Sequence, residues 1–197
     1  MRPLFFVIVL CATTLANEQG PGQYVEKSPK ARFTITQRWV KPEYIATDTD
    51  CTASDCGWEA VLTFADKSKP EATLATEPEW YSWPADYHMS PDERWIIRDQ
   101  KTGSGENALF LYHVEPNGQS WRLSQHLDDL VWYALLAPLR HTRDDYYHLE
   151  VVLASWDLAA GKVHLKARAT SNEEDENASF HGCGVTYDFK RHTIVLK

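Results

Sequence analysis

No run of about 20 apolar residues, the length a helix needs to cross a bilayer core, occurs in the 197 residues. Basic charge is also in deficit. Lys and Arg number 20 against 28 Asp and Glu, a formal net charge of −8, which argues against a nucleic-acid partner. Three catalytic templates are missing: His-Glu-x-x-His, Gly-x-Ser-x-Gly and a phosphate-binding glycine loop. The stretch TGSGEN (102–107) lies between expected strands instead of opening a helix. The eight histidines are scattered without ligand spacing, so neither a metal nor a cofactor is expected.

What is present begins with MRPLFFVIVLCATTLANEQG, which has one Arg, an apolar run over 4–10 and small or neutral residues up to Ala16. This pattern reads as a secretory signal peptide over residues 1–16, cut after Thr14 and Ala16, with a secreted or periplasmic product. Cys11 raises a lipoprotein alternative, but the large Leu10 before it disfavours lipidation. Residues 17–30 read as a flexible segment and 31–197 as one β-rich domain, long enough to bury a sizeable core. In an oxidising compartment, CTASDC places Cys51 and Cys56 within reach of a small disulfide loop. Cys183 is then either free and buried or the partner of one of them.

Alternation of apolar and polar residues predicts strands over 31–40 and 58–66, with a short one at 72–75. In QHLDDLVWYALLAPLR, Leu127, Leu130, Val131, Ala134 and Leu135 recur at helical spacing. Asp128 offers a cap and Pro138 a stop, which predicts a helix over about 128–137. SPDERW supplies a Ser-Pro-Asp turn into the strand RWIIRD, KTGSGEN a hairpin loop, ALFLYHVE a strand, and PNGQ an Asn-Gly turn into SWRLSQ.

Ser90-Pro91-Asp92, the apolar WII, Gly105, LFLY, Asn117-Gly118 and WRLS together resemble one blade of the TolB-type WD-like β-propeller repeat. A degenerate echo follows in Ser155-Trp156-Asp157 and GVTYDFKRHTIVLK, with Trp156 where the first unit has Pro. The resemblance implies a mainly β fold of antiparallel blade-like sheets, packed as a small sandwich or incomplete propeller, with one helix alongside. With the leader it also implies an exported bacterial protein. Such repeats mostly bind proteins or scaffold a site on their loops, and the Ser-Pro-Asp turn is expected to be structural.

The aromatic cluster EWYSWPADY offers Trp80, Tyr81, Trp83 and Tyr87 either for stacking on sugars or anchoring a protein, or as lids on the sheet core. His164, Lys166 and Arg168 alternate with Val163, Leu165, Ala167 and Ala169, which makes a basic face on one strand and a docking stripe for an anionic partner. SNEEDEN (171–177) reads as a solvated acidic loop. His141 and His148 flank Asp144 and Asp145 in a segment read as a loop leading into a strand.

SFHGCGV (179–185) resembles the cysteine motif of L,D-transpeptidases at His181, Gly182 and Cys183. It departs from that motif at Phe180 and Gly184, and no upstream His-Gly pair is present. Two functions follow. The favoured one is an exported, non-enzymatic binding module recognising an envelope protein or glycan through loops and aromatics, a variant being an inhibitor of an envelope hydrolase. The other is a cysteine-dependent envelope enzyme using Cys183 and His181.

Overall fold

The computed structural model describes residues 17–18, 23–39, 58–74, 83–172 and 178–196. The leader, Cys51, Cys56, Trp80, Tyr81 and residues 173–177 lie outside the described residues. The chain is mainly β, and its strands fall into three antiparallel sheets in sequence order. The first contains β1 (Asn17–Glu18), β2 (Gln23–Lys27), β3 (Phe33–Trp39), β4 (Trp58–Phe64) and β5 (Ala72–Thr73). The second contains β6 (Asp86–Met89), β7 (Trp95–Gly103), β8 (Glu106–Val114) and β9 (Ser120–Arg122). The third contains β10 (Tyr146–Asp157), β11 (Lys162–Ser171), β12 (Phe180–Asp188) and β13 (Thr193–Leu196). Every strand pairs with its neighbour in sequence, so each sheet is a blade-like meander.

The second sheet is the middle layer, and its strands are apolar on both faces. Ile96, Ala108, Phe110, Tyr112 and Val114 pack against Phe33, Ile35, Leu62 and Phe64 of the first sheet. Ile97, Leu109 and Leu111 join Val151, Val163, Leu165 and Tyr187 of the third. Strand β8 is therefore buried from its second residue to its last, where a sheet with one wet face would alternate. The outward positions include Thr34, Thr36, Arg38 and Thr63 on one side and His164, Lys166 and Arg168 on the other.

Helix α1 (Leu127–Leu136) lies where the spacing predicts, followed by a 3-10 turn at Ala137–Leu139 that contains Pro138. Asp128 is not its cap. The N-cap is His126, without a side-chain hydrogen bond. Asp128 is buried and accepts the backbone N–H of Leu109 at 2.8 Å, which ties the helix to β8. Burial is the largest cause holding its carboxyl above the usual range, and Arg143 lies 3.4 Å away.

The segment expected to be flexible, 17–30, instead contributes β2 to the first sheet, in register with β3 from Gln23↔Arg38 to Lys27↔Thr34. Its end explains the ordering, because SPKARF (28–33) is a second copy of the turn in SPDERW (90–95). Ser28 Oγ accepts the N–H of Phe33 at 3.0 Å, as Ser90 Oγ accepts that of Trp95 at 2.9 Å. Both turns place a non-glycine residue at positive φ, Ala31 at 56° and Glu93 at 60°. The backbone N–H of Lys30 in one turn donates to the carboxylate of Glu93 in the other. Ser90 Oγ also donates to Asp92 at 2.6 Å, so the Ser-Pro-Asp side chains are engaged in holding the turn.

The turns joining the last two strands of each sheet repeat as well. Asp66, Asn117 and Asp188 each accept the N–H two residues on, from Ser68, Gln119 and Lys190. These are Asx turns. Gly118 needs its φ of 94°, and a Cβ there would sit 3.1 Å from Lys69 of the first sheet. At this same end Trp95 stacks on Phe189 with centroids 4.1 Å apart, and Phe189 stacks towards Trp156, which closes the seam between second and third sheets. In the second and third sheets the meander places the turns between second and third strands at the opposite end, and there the walls of a cleft come together.

A candidate cleft at the loop end of the second and third sheets

Two β-bulges shape this end. Along β10, Tyr147 pairs with Thr170 but Glu150 pairs with Arg168, so His148 and Leu149 share one position on β11. His148 takes a φ of 54° to do so. The extra residue lets Tyr146 and Leu149, three apart, both stay in the core while His148 is turned out. On β12, Cys183 pairs with Ala167 and His181 with Arg168, leaving Gly182 as the extra residue at φ 89°.

The third irregularity is Gly105, in the β7–β8 hairpin, at φ 72°. A Cβ there would lie 3.0–3.1 Å from the ring and Cβ of His148. The hairpin of the second sheet thus approaches the bulge of the third at van der Waals distance. Gly105→Ala is expected to lower stability by about 1–3 kcal/mol through backbone strain and this overlap, and to displace the imidazole. Thermal melts and the NMR titration of the His148 ring check both effects.

Between these elements lies a cleft of about 630 Å³, walled by Ser104, Gly105, His148, Arg168, Phe180 and His181. Arg168 faces Glu150 at 3.6 Å with both side chains exposed, a surface pair that contributes little to stability. Gly105 and Glu150 also line an adjoining compartment of about 320 Å³ that holds Asp86, Asp99, Lys101 and Glu106. The two compartments differ in charge balance. The larger presents the Arg168 guanidinium, two imidazoles and the Glu150 carboxylate, whereas the smaller sets four carboxylates, Glu150 again among them, against one ammonium.

The acidic compartment continues along β6, the edge strand of the second sheet. Asp86 and Asp99 lie directly opposite in the β6–β7 pairing, an arrangement of like charges that costs stability. His88 Nε2 stands 3.9 Å from Asp99 Oδ2, and the Asp99 hydrogen bond is the largest cause holding His88 above the usual imidazole range. Half-buried Glu26 is pushed up to about 7, mainly by burial and then by Asp86.

Because both folded values exceed the unfolded ones, these groups contribute fully below pH 4.5 for Glu26 and 6.5 for His88. The Glu26 contribution is lost as pH rises through about 7. Glu26→Gln is expected to raise stability at pH 8 by about 1–2 kcal/mol, a value discounted for the water that still reaches the carboxylate. It should also flatten the gain in Tm that Glu26 is expected to give the wild type between pH 8 and 5. An unchanged slope in the variant would remove Glu26 from the account.

Of the expected binding aromatics, Trp83 is exposed at 43%, its ring 4.8 Å from Nζ of Lys101, which lines the acidic compartment. Tyr87 is a correction. It is buried between the first and second sheets, because β6 turns it inward towards Ile96 and Tyr112, and burial pushes its phenol up. Of the basic stripe, only Arg168 reaches the cleft. Lys166 is exposed beyond it, and His164 is held by Thr186 at 2.9 Å and faces Asp157 at 3.9 Å.

Register separates His181 from Cys183. Cross-strand partners share a face, so His181 lies on the outer face with exposed Arg168, and half-buried Cys183 lies on the core face with Ala167. His141 Nδ1 bonds the Tyr146 hydroxyl at 2.8 Å, away from His148. Sequence reasoning placed His148 in a loop beside His141 and Gly105 in a hairpin loop, and passed over Glu150, the approach of the two loops and the acidic compartment. The readable signal was the broken parity of Tyr146 and Leu149, which marks a bulge in an otherwise alternating strand. No family model and no curated protein matches the chain.

Proposed function

We propose that the protein is an exported, non-enzymatic binding module of the cell envelope, and that it recognises its protein or glycan partner in the cleft at the loop end of the second and third sheets. The observation that carries this is convergence. Two bulges and a positive-φ glycine, from three separate stretches of chain, meet at one cleft whose polar walls include exposed His148 and His181. Bulges recur beside functional sites, where they re-aim a side chain. The likeness of residues 89–124 to a TolB-type blade supports binding over chemistry, as does the short apolar leader for export. A cysteine enzyme gains no support, since Cys183 and His181 project to opposite faces of the sheet.

The test is affinity capture from an envelope extract with three baits: wild type, the double variant Arg168→Ala, His181→Ala, and Trp83→Ala. A component enriched by wild type should fall at least tenfold with the double variant and be partly retained by Trp83→Ala. Equal enrichment by all three, with matched Tm values, would remove the cleft from the reading. Thiol labelling bears on the enzyme alternative, for which Cys183 must react in the folded state.

A further inference from the structure

We infer that the occupant of the cleft is a short peptide-like zwitterion, its carboxylate held by Arg168, His148 and His181 and its ammonium group by Asp99 and Glu106. This rests on the cleft being the binding site proposed above. The two compartments share Gly105 and Glu150, so a single ligand spanning that junction meets both fields. Displacing Glu150 from Arg168 frees a guanidinium for a ligand carboxylate, while the carboxylates of the smaller compartment attract a cation, so a molecule carrying both signs is attracted at each end and a single-signed one at one end alone.

Glu150 is placed to act as a stand-in for the ligand carboxylate. It faces Arg168 at 3.6 Å, with 61% of the Arg168 side chain and 37% of its own exposed. A pair this open yields readily to a competing carboxylate, and the displaced Glu150 then adds its charge to the side that receives the ammonium group. The volumes, about 630 and 320 Å³, suit a few residues of extended chain and fall in the range of small-ligand sites. Asn107, which lines the smaller compartment, is fully engaged with Asp99 and Val151. It therefore fixes the position of Asp99 without competing for the ligand.

The experiment is a calorimetric titration of the purified protein with trialanine, N-acetyl-trialanine and trialanine amide, repeated on Arg168→Gln and Glu106→Gln. Free trialanine should bind wild type, and capping either end should weaken binding at least tenfold. Arg168→Gln should bind trialanine and its amide alike, and Glu106→Gln should bind trialanine and its N-acetyl form alike, because each variant has lost the partner of the capped group. Equal binding of all three peptides by wild type, or none, overturns the inference. If trialanine does not bind while the envelope component is still lost with Arg168→Ala, His181→Ala, the ligand class is wrong and the site stands. If neither depends on these residues, both fall.

Discussion

Asn107→Leu is expected to lower stability by about 3–5 kcal/mol, the largest effect of any single substitution considered. Its side-chain amide behaves as an extra peptide unit. Nδ2 donates to the carbonyl of Val151 at 2.7 Å while Oδ1 accepts the Val151 N–H at 2.8 Å. Strand β10 is thereby paired to the second sheet through a side chain, at a residue that is itself fully buried. Leucine preserves the volume but leaves the N–H and C=O of Val151 without their side-chain partner at a residue 0% exposed, at about 1–3 kcal/mol each. It also strips Asp99 of the N–H it accepts at 2.6 Å.

Asn107→Asp provides a control of different sign. It removes the donor and sets a carboxylate against Asp99, so it should be as harmful near neutral pH and recover in part on acidification. Chemical denaturation of both variants at pH 8 and 5 measures this. A loss below about 1 kcal/mol for Asn107→Leu, the worth of one ordinary hydrogen bond, would mean the seam repacks without the amide.

Gln37→Leu is expected to cost about 2–4 kcal/mol for the same reason at the other seam. Gln37 Nε2 donates to the Ala85 carbonyl at 2.7 Å, and Oε1 accepts the Ala85 N–H at 2.9 Å. Gln37 is 3% exposed and Ala85 4%, so water does not replace the lost partners. Each sheet is thus attached to the next by one buried amide that pairs with backbone at or just before the following sheet's first strand. The clamps lie on different seams and share no partner, so the double variant should lose the sum of the single losses to within about 0.5 kcal/mol. In native-state hydrogen exchange, Gln37→Leu should release the amide of Ala85 and leave that of Val151 protected. Release of both would mean the seams open as one unit.

These clamps illustrate what sequence patterning could and could not show. Phe33 and Ile35 alternate with Thr34 and Thr36, and that period of two is visible because one face is apolar and the other wet. The helix was legible from Leu127, Leu130 and Val131 for the corresponding reason at helical spacing. An amide at an inward strand position breaks the pattern and reads as a wet face, which is why Gln37 and Asn107 carry no signal in the sequence. Their partners are backbone groups 48 and 44 residues away, and no local rule reaches that far.

Strand β2 was missed because its residues, QYVEK, are mostly polar and only part-buried. The recurrence of Ser-Pro, Arg and an aromatic in SPKARF and SPDERW was the available clue to it. The cleft was half visible. His181 and Arg168 stood out by type, but only register brings them together and sends Cys183 to the other face. His148 and Glu150 looked like parts of a loop and the start of a strand until the bulge aimed them.

The most direct measurement of the central claim is hydrogen–deuterium exchange on the protein, free and bound to the component it captures from envelope extract. The cleft account predicts protection in residues 103–107, 147–150, 168–171 and 180–182, with no change at the turns 28–33, 90–95 and 117–119. Protection confined to those turns would place the binding surface at the opposite end of the sheets and contradict the account.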